Sequence, residues 1–297
     1  MKDLTLRAPA KINLTLDVIR RFENGYHELR MIMQTLDLYD TITLKPISEQ
    51  EIRLVTEGNP IPGLTSPEDN IVYKAAALMR DTFQIAKGVQ INLTKKIPAA
   101  AGLAGGSTDC AAVLVGMNTL FSCHATEEEL RDLGVTLGAD VPYCIMQGTA
   151  LSEGIGNILT PLPAMPDCYI LLIKPPIDVS TKYVYTHLQL DSDIKHPYTE
   201  QMISCIRRRD LEGMSVLLGN ILESVTNTEY PIIEELKKYL LKKGAIGSSM
   251  SGSGPTVFGL FDTEAAAQAA YAACLQKYPS FTCHLTRPIE RSYSTSI

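Results

Sequence analysis

The sequence has little of what marks a membrane or nucleic-acid-binding protein. No apolar run approaches the roughly 20 residues that span a membrane, and residues 1–7 lack the apolar core of a secretory signal. The 27 Lys and Arg against 33 Asp and Glu give a net charge of −6, without long runs of either sign. This balance disfavours a nucleic-acid groove or a basic membrane surface. We therefore expect a cytoplasmic protein with neither partner.

Patterns of metal-binding residues are also missing. The seven cysteines are dispersed without CxxC spacing, and the five histidines form no HExxH motif. This argues against a disulfide framework, a zinc site and a catalytic transition metal. A Mg²⁺ ion would leave little trace, because it keeps water ligands and binds largely through substrate phosphates.

The chain of 297 residues is long enough for two packed domains. Strand and helix patterns mix without strict alternation, so the pattern predicts the α+β class. Three prolines between Pro161 and Pro166 predict a boundary, with domains at 1–162 and 163–297. Strands are predicted at 4–6, 13–18, 31–36, 41–44 and 51–55.

The most informative stretch covers residues 97–110. A strand pattern over 89–94 precedes it, Pro98 ends that strand, and a helix pattern follows. Glycines at 102, 105 and 106 let the backbone approach a ligand, and a helix N-terminus carries a partial positive charge. We interpret the stretch as a phosphate-binding loop, with a flexible turn as the alternative.

This loop matches neither common phosphate motif. A P-loop needs Lys directly after its last glycine and a dinucleotide fingerprint needs GxGxxG, whereas Ser107 follows the glycines here. We expect Ser107, Thr108 and Asp109 to cap the next helix. The cation that neutralises the phosphates must come from elsewhere. The candidates are Lys11, Lys95 and Lys96.

Two short stretches offer side chains for recognition and catalysis. After an Asn24-Gly25 turn, Tyr26 could stack on a flat ring while His27 makes hydrogen bonds; a half-buried Tyr beside a surface His is the alternative. Pro142 favours an extended Val141, so we expect Asp140 at a helix-to-strand junction, where it could accept a proton. The alternative is an Asx turn that starts the bend, which is the commoner use of such an aspartate.

Two further stretches are open to more than one interpretation. Lys11 and Asn13 lie two apart, hence on one face of a strand that could be a solvated edge. Residues 247–256 are rich in glycine and serine and could bind a phosphate or turn a hairpin.

Three of these stretches resemble the signature motifs of the GHMP small-molecule kinases. They are Pro9-Ala10-Lys11-Ile12-Asn13-Leu14, residues 98–109 and residues 247–256, and their order and spacing match across nearly the whole chain. Within that family, Gly25-Tyr26-His27-Glu28 and Gly138-Ala139-Asp140-Val141-Pro142 resemble the isoprenoid-pathway member, whose acceptor is a methylerythritol alcohol carrying cytidine diphosphate.

The resemblance implies a fold and an activity. It implies an S5-like N-terminal sandwich and a ferredoxin-like C-terminal domain, with ATP and a small-molecule substrate in the cleft between them, in a monomer or homodimer. It implies transfer of the ATP γ-phosphoryl to the acceptor's 2-hydroxyl with Mg²⁺, Asp140 being the base and Lys11 its partner. The substrate residues it implies are Asn13, Tyr26, His27, Thr181 and Tyr185. The ATP residues it implies are Asn70, Lys96, Pro98, Ala99, Ala100, Ala101, Gly102, Leu103, Ala104, Gly105, Gly106, Ser107, Thr108, Ser251 and Gly252.

One departure and two rival functions accompany this resemblance. Ala104 replaces a glycine common in the family loop, and it should fit if its φ is negative. A homoserine- or mevalonate-type kinase would share both glycine-rich loops but has no reason to carry Tyr26-His27 with Asp140. A non-catalytic ATP-binding regulator would bind the nucleotide without turnover.

Overall fold

The computed structural model describes residues 2–23, 25–61, 63–190 and 194–293. Helices and strands are mixed along these residues, and the predicted α+β class is confirmed. The strands are β1 (Leu4–Arg21), β2 (His27–Ile47), β3 (Ile52–Gly58), β4 (Gly88–Lys95), β5 (Thr149–Gly154), β6 (Ile158–Pro161), β7 (Tyr169–Lys174), β8 (Gly219–Asn220), β9 (Gly247–Met250), β10 (Val257–Phe261) and β11 (Thr282–Thr286). The α-helices are α1 (Ile71–Thr82), α2 (Gly105–Phe121), α3 (Glu127–Leu137), α4 (Val141–Met146), α5 (Thr181–His187), α6 (Thr199–Arg208), α7 (Leu211–Val216), α8 (Glu223–Glu229), α9 (Ile232–Lys242) and α10 (Glu264–Lys277), and a 3₁₀ turn covers Pro67–Asp69.

A first sheet is built around the long antiparallel pair β1 and β2. Its order is β3-β4-β2-β1-β8, and β5 pairs with the early part of β2 and with β6. The helix α2 packs on β1 and β2, with α1, α3 and α4 around it. The start of α2 therefore lies beside the centre of this sheet, where the predicted phosphate loop meets β1.

A second sheet is formed by later strands in the antiparallel order β11-β7-β10-β9, with α9 and α10 packed on it. The two sheets are linked, because β8 pairs in parallel with β1 and residue Leu36 of β2 bridges to Pro288. The domain boundary predicted between residues 162 and 163 stays a prediction.

The strand predictions need a correction at the start of the chain. The strands expected at 4–6 and 13–18 are one strand, β1, whose direction is adjusted by register shifts between Pro9 and Lys11 and between Asn13 and Thr15. Those expected at 31–36 and 41–44 are likewise one strand, β2. Asp40 breaks the apolar alternation there, yet it is fully buried, because it has charged and backbone partners within the protein.

The helix α2 begins earlier than predicted. Its first residue is Gly105, and the residue before it, Ala104, has a left-handed backbone with φ 58° and makes no side-chain cap. Ser107, Thr108 and Asp109 therefore lie inside the helix, and the expectation that they cap it is wrong. The condition for an easy fit of Ala104, a negative φ, is not met, so this alanine occupies a conformation that favours glycine.

The junction at Asp140 differs from its prediction as well. Asp140 lies between α3 and α4, with φ −84° and ψ −11°, so it joins two helices rather than a helix and a strand. Val141 is the first residue of α4 and not extended. Pro142 is tolerated at the second position because amides in the first helical turn have no intrahelical acceptor.

Other local predictions are confirmed. The hydroxyl of Ser180 accepts from the amide of Tyr183 at 3.2 Å and caps α5, and α9 begins directly after Pro231. Gly25 has φ 86°, whereas Asn24 of the predicted Asn-Gly turn lies outside the described residues. No helix within the described ranges is long and apolar enough to cross a membrane.

Candidate active site

A cavity of about 970 Å³ gathers most of the predicted site residues. Those lining it are Lys11, Asn13, Tyr26, His27, Asn70, Pro98, Ala99, Ala100, Ala101, Gly102, Ala104, Gly105, Gly106, Ser107, Asp140, Thr181, Tyr185 and Gly252. Four predicted residues lie outside this lining: Lys96, Leu103, Thr108 and Ser251. Of these, Leu103, Thr108 and Ser251 are buried beside the loops whose backbone faces the cavity. One cavity thus contains contributions from residues far apart in the chain.

The loop before α2 presents backbone amides to the cavity. Within the helix the first backbone bond runs from Thr108 N to Ala104 O at 2.9 Å, so the amides of Gly105, Gly106 and Ser107 have no intrahelical acceptor. The first turn contains no acidic side chain that would compete for them. This arrangement, with the helix dipole behind it, suits an anion such as phosphate.

The second glycine-rich loop packs directly against the first. Residues 251–256 connect β9 and β10 in an antiparallel hairpin, and the hydroxyl of Ser251 donates to the carbonyl of Gly102 at 2.9 Å. Gly102 has φ 71°, and a Cβ on it would lie 2.1 Å from the carbonyl oxygen of Ser251. Only glycine fits at this contact. The hairpin alternative is therefore what the structure shows for residues 247–256, with Gly252 and Ser253 reaching the cavity.

Lys11 and Asp140 form the charged pair of the cavity. The ammonium Nζ of Lys11 donates to Oδ1 of Asn13 at 2.8 Å and lies 3.6 Å from Oδ2 of Asp140. Lys11 is buried, whereas the side chain of Asp140 is 34% exposed. The Lys11 amide also donates to the Leu103 carbonyl at 3.1 Å. The carboxylate therefore faces the cavity beside a cation fixed to the phosphate loop.

Aromatic side chains occupy another part of the lining. The rings of His27 and Tyr185 lie 5.2 Å apart between centroids at an angle of 40°. Burial, with the nearby Arg21 charge, lowers the pKa of His27, and burial, with the Asp140 charge, raises the pKa of Tyr185. Both rings are therefore uncharged near neutral pH. Tyr26 is 60% exposed and can meet a ligand at the cavity's edge.

Asn70 offers a hydrogen-bond donor to the cavity. It is buried, and its Oδ1 accepts from Val72 N at 2.9 Å at the start of α1. Its Nδ2 has no hydrogen-bond partner within the described part of the chain. A buried polar atom without a partner is costly, so this amide fits a ligand that brings an acceptor.

The structure separates Lys95 from Lys96. Lys96 is exposed with its ammonium 5.6 Å from the ring of Tyr39, whereas Lys95 is buried and lines the cavity. The alternation of side chains between the two faces of β4 predicts this difference, because Lys95 shares a face with the buried Ile91 and Leu93. Other lining residues that the sequence did not single out include Leu16, Leu29 and Asp178; only a spatial arrangement identifies them.

Family models match both halves of the chain. The GHMP kinases N terminal domain matches residues 70–148, and the GHMP kinases C terminal model matches residues 202–280. The first match contains the phosphate loop and Asp140, and the second contains the hairpin that packs on that loop.

Individual relatives are more specific. A protein of Lachnoclostridium phytofermentans named 4-diphosphocytidyl-2-C-methyl-D-erythritol kinase is 55% identical over 271 residues, 91% of this chain and 92% of that protein. A crystal structure of 4-(cytidine 5'-diphospho)-2C-methyl-D-erythritol kinase aligns with TM-score 0.82 and 30% identity, over 96% of this chain and 99% of that one. A homoserine kinase of Cytophaga hutchinsonii, at 21% identity, TM-score 0.79 and coverage of 98% and 96%, shares the fold. The chain therefore belongs to the GHMP kinases, in the group of the 4-diphosphocytidyl-2-C-methyl-D-erythritol kinases.

Proposed function

We propose that this chain transfers the γ-phosphoryl group of ATP to the 2-hydroxyl of 4-diphosphocytidyl-2-C-methyl-D-erythritol, a step in forming isoprenoid precursors. One observation carries the proposal. A single cavity contains the amides at the start of α2, the Lys11–Asp140 pair and the aromatic pair of His27 and Tyr185. These parts suit a polyphosphate, a reacting hydroxyl and a flat base, and relatives named for this acceptor supply its identity.

The nucleotide fits the loop and its surroundings. The amides of residues 105–107, which have no intrahelical acceptor, would hold phosphate oxygens. The Nδ2 of Asn70, which has no partner among the described residues, would donate to an acceptor on the adenine. Ser251 would act through the loop, by fixing the Gly102 carbonyl. A contact of Lys96 with the nucleotide stays a prediction, because its ammonium lies beside Tyr39.

The proposed chemistry uses Asp140 and Lys11. A tertiary alcohol is a poor nucleophile, so a carboxylate that accepts its proton assists the attack. The acceptor oxygen forms a bond to the γ-phosphorus, the bond from that phosphorus to the bridging oxygen breaks, ADP leaves and the hydroxyl proton goes to Asp140. The ammonium of Lys11, 3.6 Å from Oδ2 of Asp140, would place a positive charge beside the carboxylate and the reacting oxygen atoms.

We propose that Mg²⁺ binds together with the nucleotide. Across the described residues no group of three or more His, Cys, Asp or Glu side chains could hold a metal ion. Mg²⁺ commonly binds through phosphate oxygens, water and one or two carboxylates, and Asp140 and Ser107 are oxygen-bearing residues of the cavity. When bound, the ion would neutralise charge on the transferred phosphoryl group.

The acceptor's base would lie among the aromatic residues. Tyr26 and Tyr185 offer ring faces, and the uncharged imidazole of His27 offers one donor and one acceptor for the edge of cytosine. Thr181, whose hydroxyl lies 2.8 Å from that of Ser253, and Asn13, which positions Lys11, would contact the rest of the acceptor.

The proposal extends to the organisation of the protein. We keep the division into domains at residues 1–162 and 163–297, with the phosphate loop from the first and Thr181, Tyr185 and Gly252 from the second. A monomeric or homodimeric state and a cytoplasmic location belong to the same proposal.

The direct test is product identification. The purified protein is incubated with ATP, Mg²⁺ and the cytidine-bearing alcohol, and mass spectrometry and ³¹P NMR are used to find the added phosphoryl group. We expect one phosphoryl on the 2-hydroxyl, and none on homoserine or mevalonate in parallel reactions. Phosphorylation of either rival acceptor instead, or ATP binding without any product, would support one of the two alternative functions.

A further inference from the structure

Three ionisable residues are buried together beneath the phosphate loop. Lys95, the last residue of β4, is 5% exposed, Asp40 of β2 is 0% exposed and Asp109 of α2 is 1% exposed. Burying charges is expensive unless they are paired and hydrogen-bonded. The proposed chemistry uses none of the three, so their retention in the interior needs a separate explanation.

The contacts of Lys95 join the sheet to the helix. Its ammonium donates to Oδ2 of Asp40 and, at 2.6 Å, to Oδ2 of Asp109. Although burial opposes the charged form, the carboxylates of Asp109 and Asp40 raise the pKa of Lys95, so the ammonium stays charged. One side chain thus connects β2 and β4 with the first turns of α2.

Asp40 fixes the other end of the same loop. Its Oδ1 accepts from the amides of Lys96 at 2.5 Å and Ile97 at 2.8 Å. These two residues lead directly into the loop at Pro98. The cluster therefore holds the chain where it enters the loop, through Asp40, and where it leaves it, through Asp109.

Lys95 also lies close to the amides that face the cavity. A Cβ added to Gly105, the first residue of α2, would be 3.4 Å from Nζ of Lys95. Both carboxylates already accept hydrogen bonds from this ammonium. The ammonium of Lys95 is therefore held in place beneath the start of α2, whereas Lys11 lies beside the carboxylate of Asp140 in the cavity.

We propose that Lys95 is a positioning residue, which fixes the phosphate-binding amides of α2 through its bonds to Asp109 and Asp40. The inference deepens the proposed function and rests on it for the identity of the nucleotide. A shift of the amides by a fraction of an ångström weakens phosphate binding and transfer, because positioning is most of what phosphoryl transfer requires. The acceptor end, formed by His27 and Tyr185, has no bond to the cluster and should be unaffected.

Asp109→Ala is the most informative variant. It removes the link to α2 but leaves Lys95 paired with Asp40, so no unpaired charge is buried. It also deletes an oxygen, Oδ1, that has no hydrogen-bond partner among the residues described. We expect the KM for ATP to rise about tenfold or more, while the KM for the acceptor stays within about twofold. Isothermal titration calorimetry with ADP should show the same loss of affinity without requiring turnover.

Three further variants sharpen the test. Asp109→Asn keeps an oxygen that can accept from Lys95 and should retain most of the ATP affinity. Lys95→Met leaves two buried carboxylates together and is expected to lower thermal stability, so it serves to confirm the link and not to measure it. Asp132→Ala, the same change at an exposed position of α3, is the matched control and should leave both KM values unchanged.

The outcomes distinguish the inference from the proposed function. An unchanged ATP KM and ADP affinity in Asp109→Ala would overturn the positioning role, and so would an equal rise in both KM values. If the wild-type protein binds ADP but does not phosphorylate the cytidine-bearing alcohol, the proposed function fails. The calorimetric comparison of Asp109→Ala with wild type would still decide the role of Lys95.

Discussion

The phosphate end of the cavity is built from backbone, and the acceptor end is built from side chains. At the phosphate end, two glycine-containing loops touch through the Ser251–Gly102 hydrogen bond, and the amides of α2 face the cavity. At the acceptor end, His27 and Tyr185 contact each other, and Tyr26 is 60% exposed. Changes at the first end should therefore act through packing, and changes at the second through lost ligand contacts.

This difference suits a division of labour between donor and acceptor. Backbone amides bind phosphates without regard to what the nucleotide will phosphorylate. Under the proposed function, the side chains at the other end would distinguish acceptors. A shared scaffold does not by itself fix the acceptor.

The largest effect is expected at Asp140, the proposed base of the phosphoryl transfer. Asp140→Asn keeps the size of the side chain but removes its ability to accept a proton, so kcat should fall by roughly 10²-fold or more. The ATP KM should change little, because Asp140 is not part of the loop. Steady-state kinetics measure both values, and wild-type turnover in this variant would remove Asp140 from the mechanism.

The next effect tests packing at the phosphate end. Gly102→Ala places a Cβ 2.1 Å from the carbonyl oxygen of Ser251 at φ 71°. We expect a loss of unfolding free energy of about 1–3 kcal/mol for the strained backbone and of about 1–3 kcal/mol for the clash, with a higher ATP KM. Urea denaturation measures the sum of the two losses of unfolding free energy.

Gly244→Ala is the control for that comparison. Gly244 has φ 95° and no atom within 4 Å of an added Cβ, so this variant has the strain without the clash. Equal losses of stability in the two variants would show that the contact between the loops contributes nothing.

A smaller effect is expected at the acceptor end. His27→Ala removes the imidazole that contacts Tyr185, and an aromatic contact with a base is worth about 1–3 kcal/mol, so the acceptor KM should rise about tenfold. Stability and the ATP KM should hardly change. His187→Ala removes an equivalent ring contact with Tyr183, 3.9 Å between centroids, outside the cavity, and should be silent. A raised ATP KM in His27→Ala would contradict the separation of the two ends.

The smallest effect concerns pH. Burial and the charge of Arg21 lower the pKa of His27 below its ordinary value of 6.5, so the imidazole is mostly neutral at that pH and becomes charged as the pH falls further. The acceptor KM should therefore change little down to pH 6.5 and rise a few-fold at lower pH. His27→Gln should abolish the rise. A rise that begins above the ordinary histidine pKa would contradict this direction.

The sequence was sufficient for the parts of the site that rest on local backbone. Glycines at fixed positions between a strand and a helix indicated the phosphate loop, although the left-handed Ala104 moved the helix start to Gly105. The role of Asp140 as a cavity residue was anticipated, but its helix–helix junction was not, because Pro142 is compatible with both geometries.

The parts that depend on distant contacts could not be predicted. Asp40 interrupts the apolar alternation of β2, and the sequence does not explain its burial, since its partner Lys95 is 55 residues away. Strand alternation alone could predict that Lys95, and not Lys96, is buried. The burial of its charge is explained only by its partners Asp40 and Asp109. Pairings of this kind are set by the fold.

We propose that the acceptor end recognises the cytidine group independently of the phosphate end. The most direct test compares kcat/KM for the cytidine-bearing alcohol and for the same methylerythritol phosphate without cytidine, at saturating ATP. In the wild-type protein, we predict that kcat/KM falls about 10²-fold or more without cytidine, while the ATP KM is unchanged. In His27→Ala, the absence of cytidine should lower kcat/KM much less. Equal kcat/KM values for the two acceptors would contradict the claim.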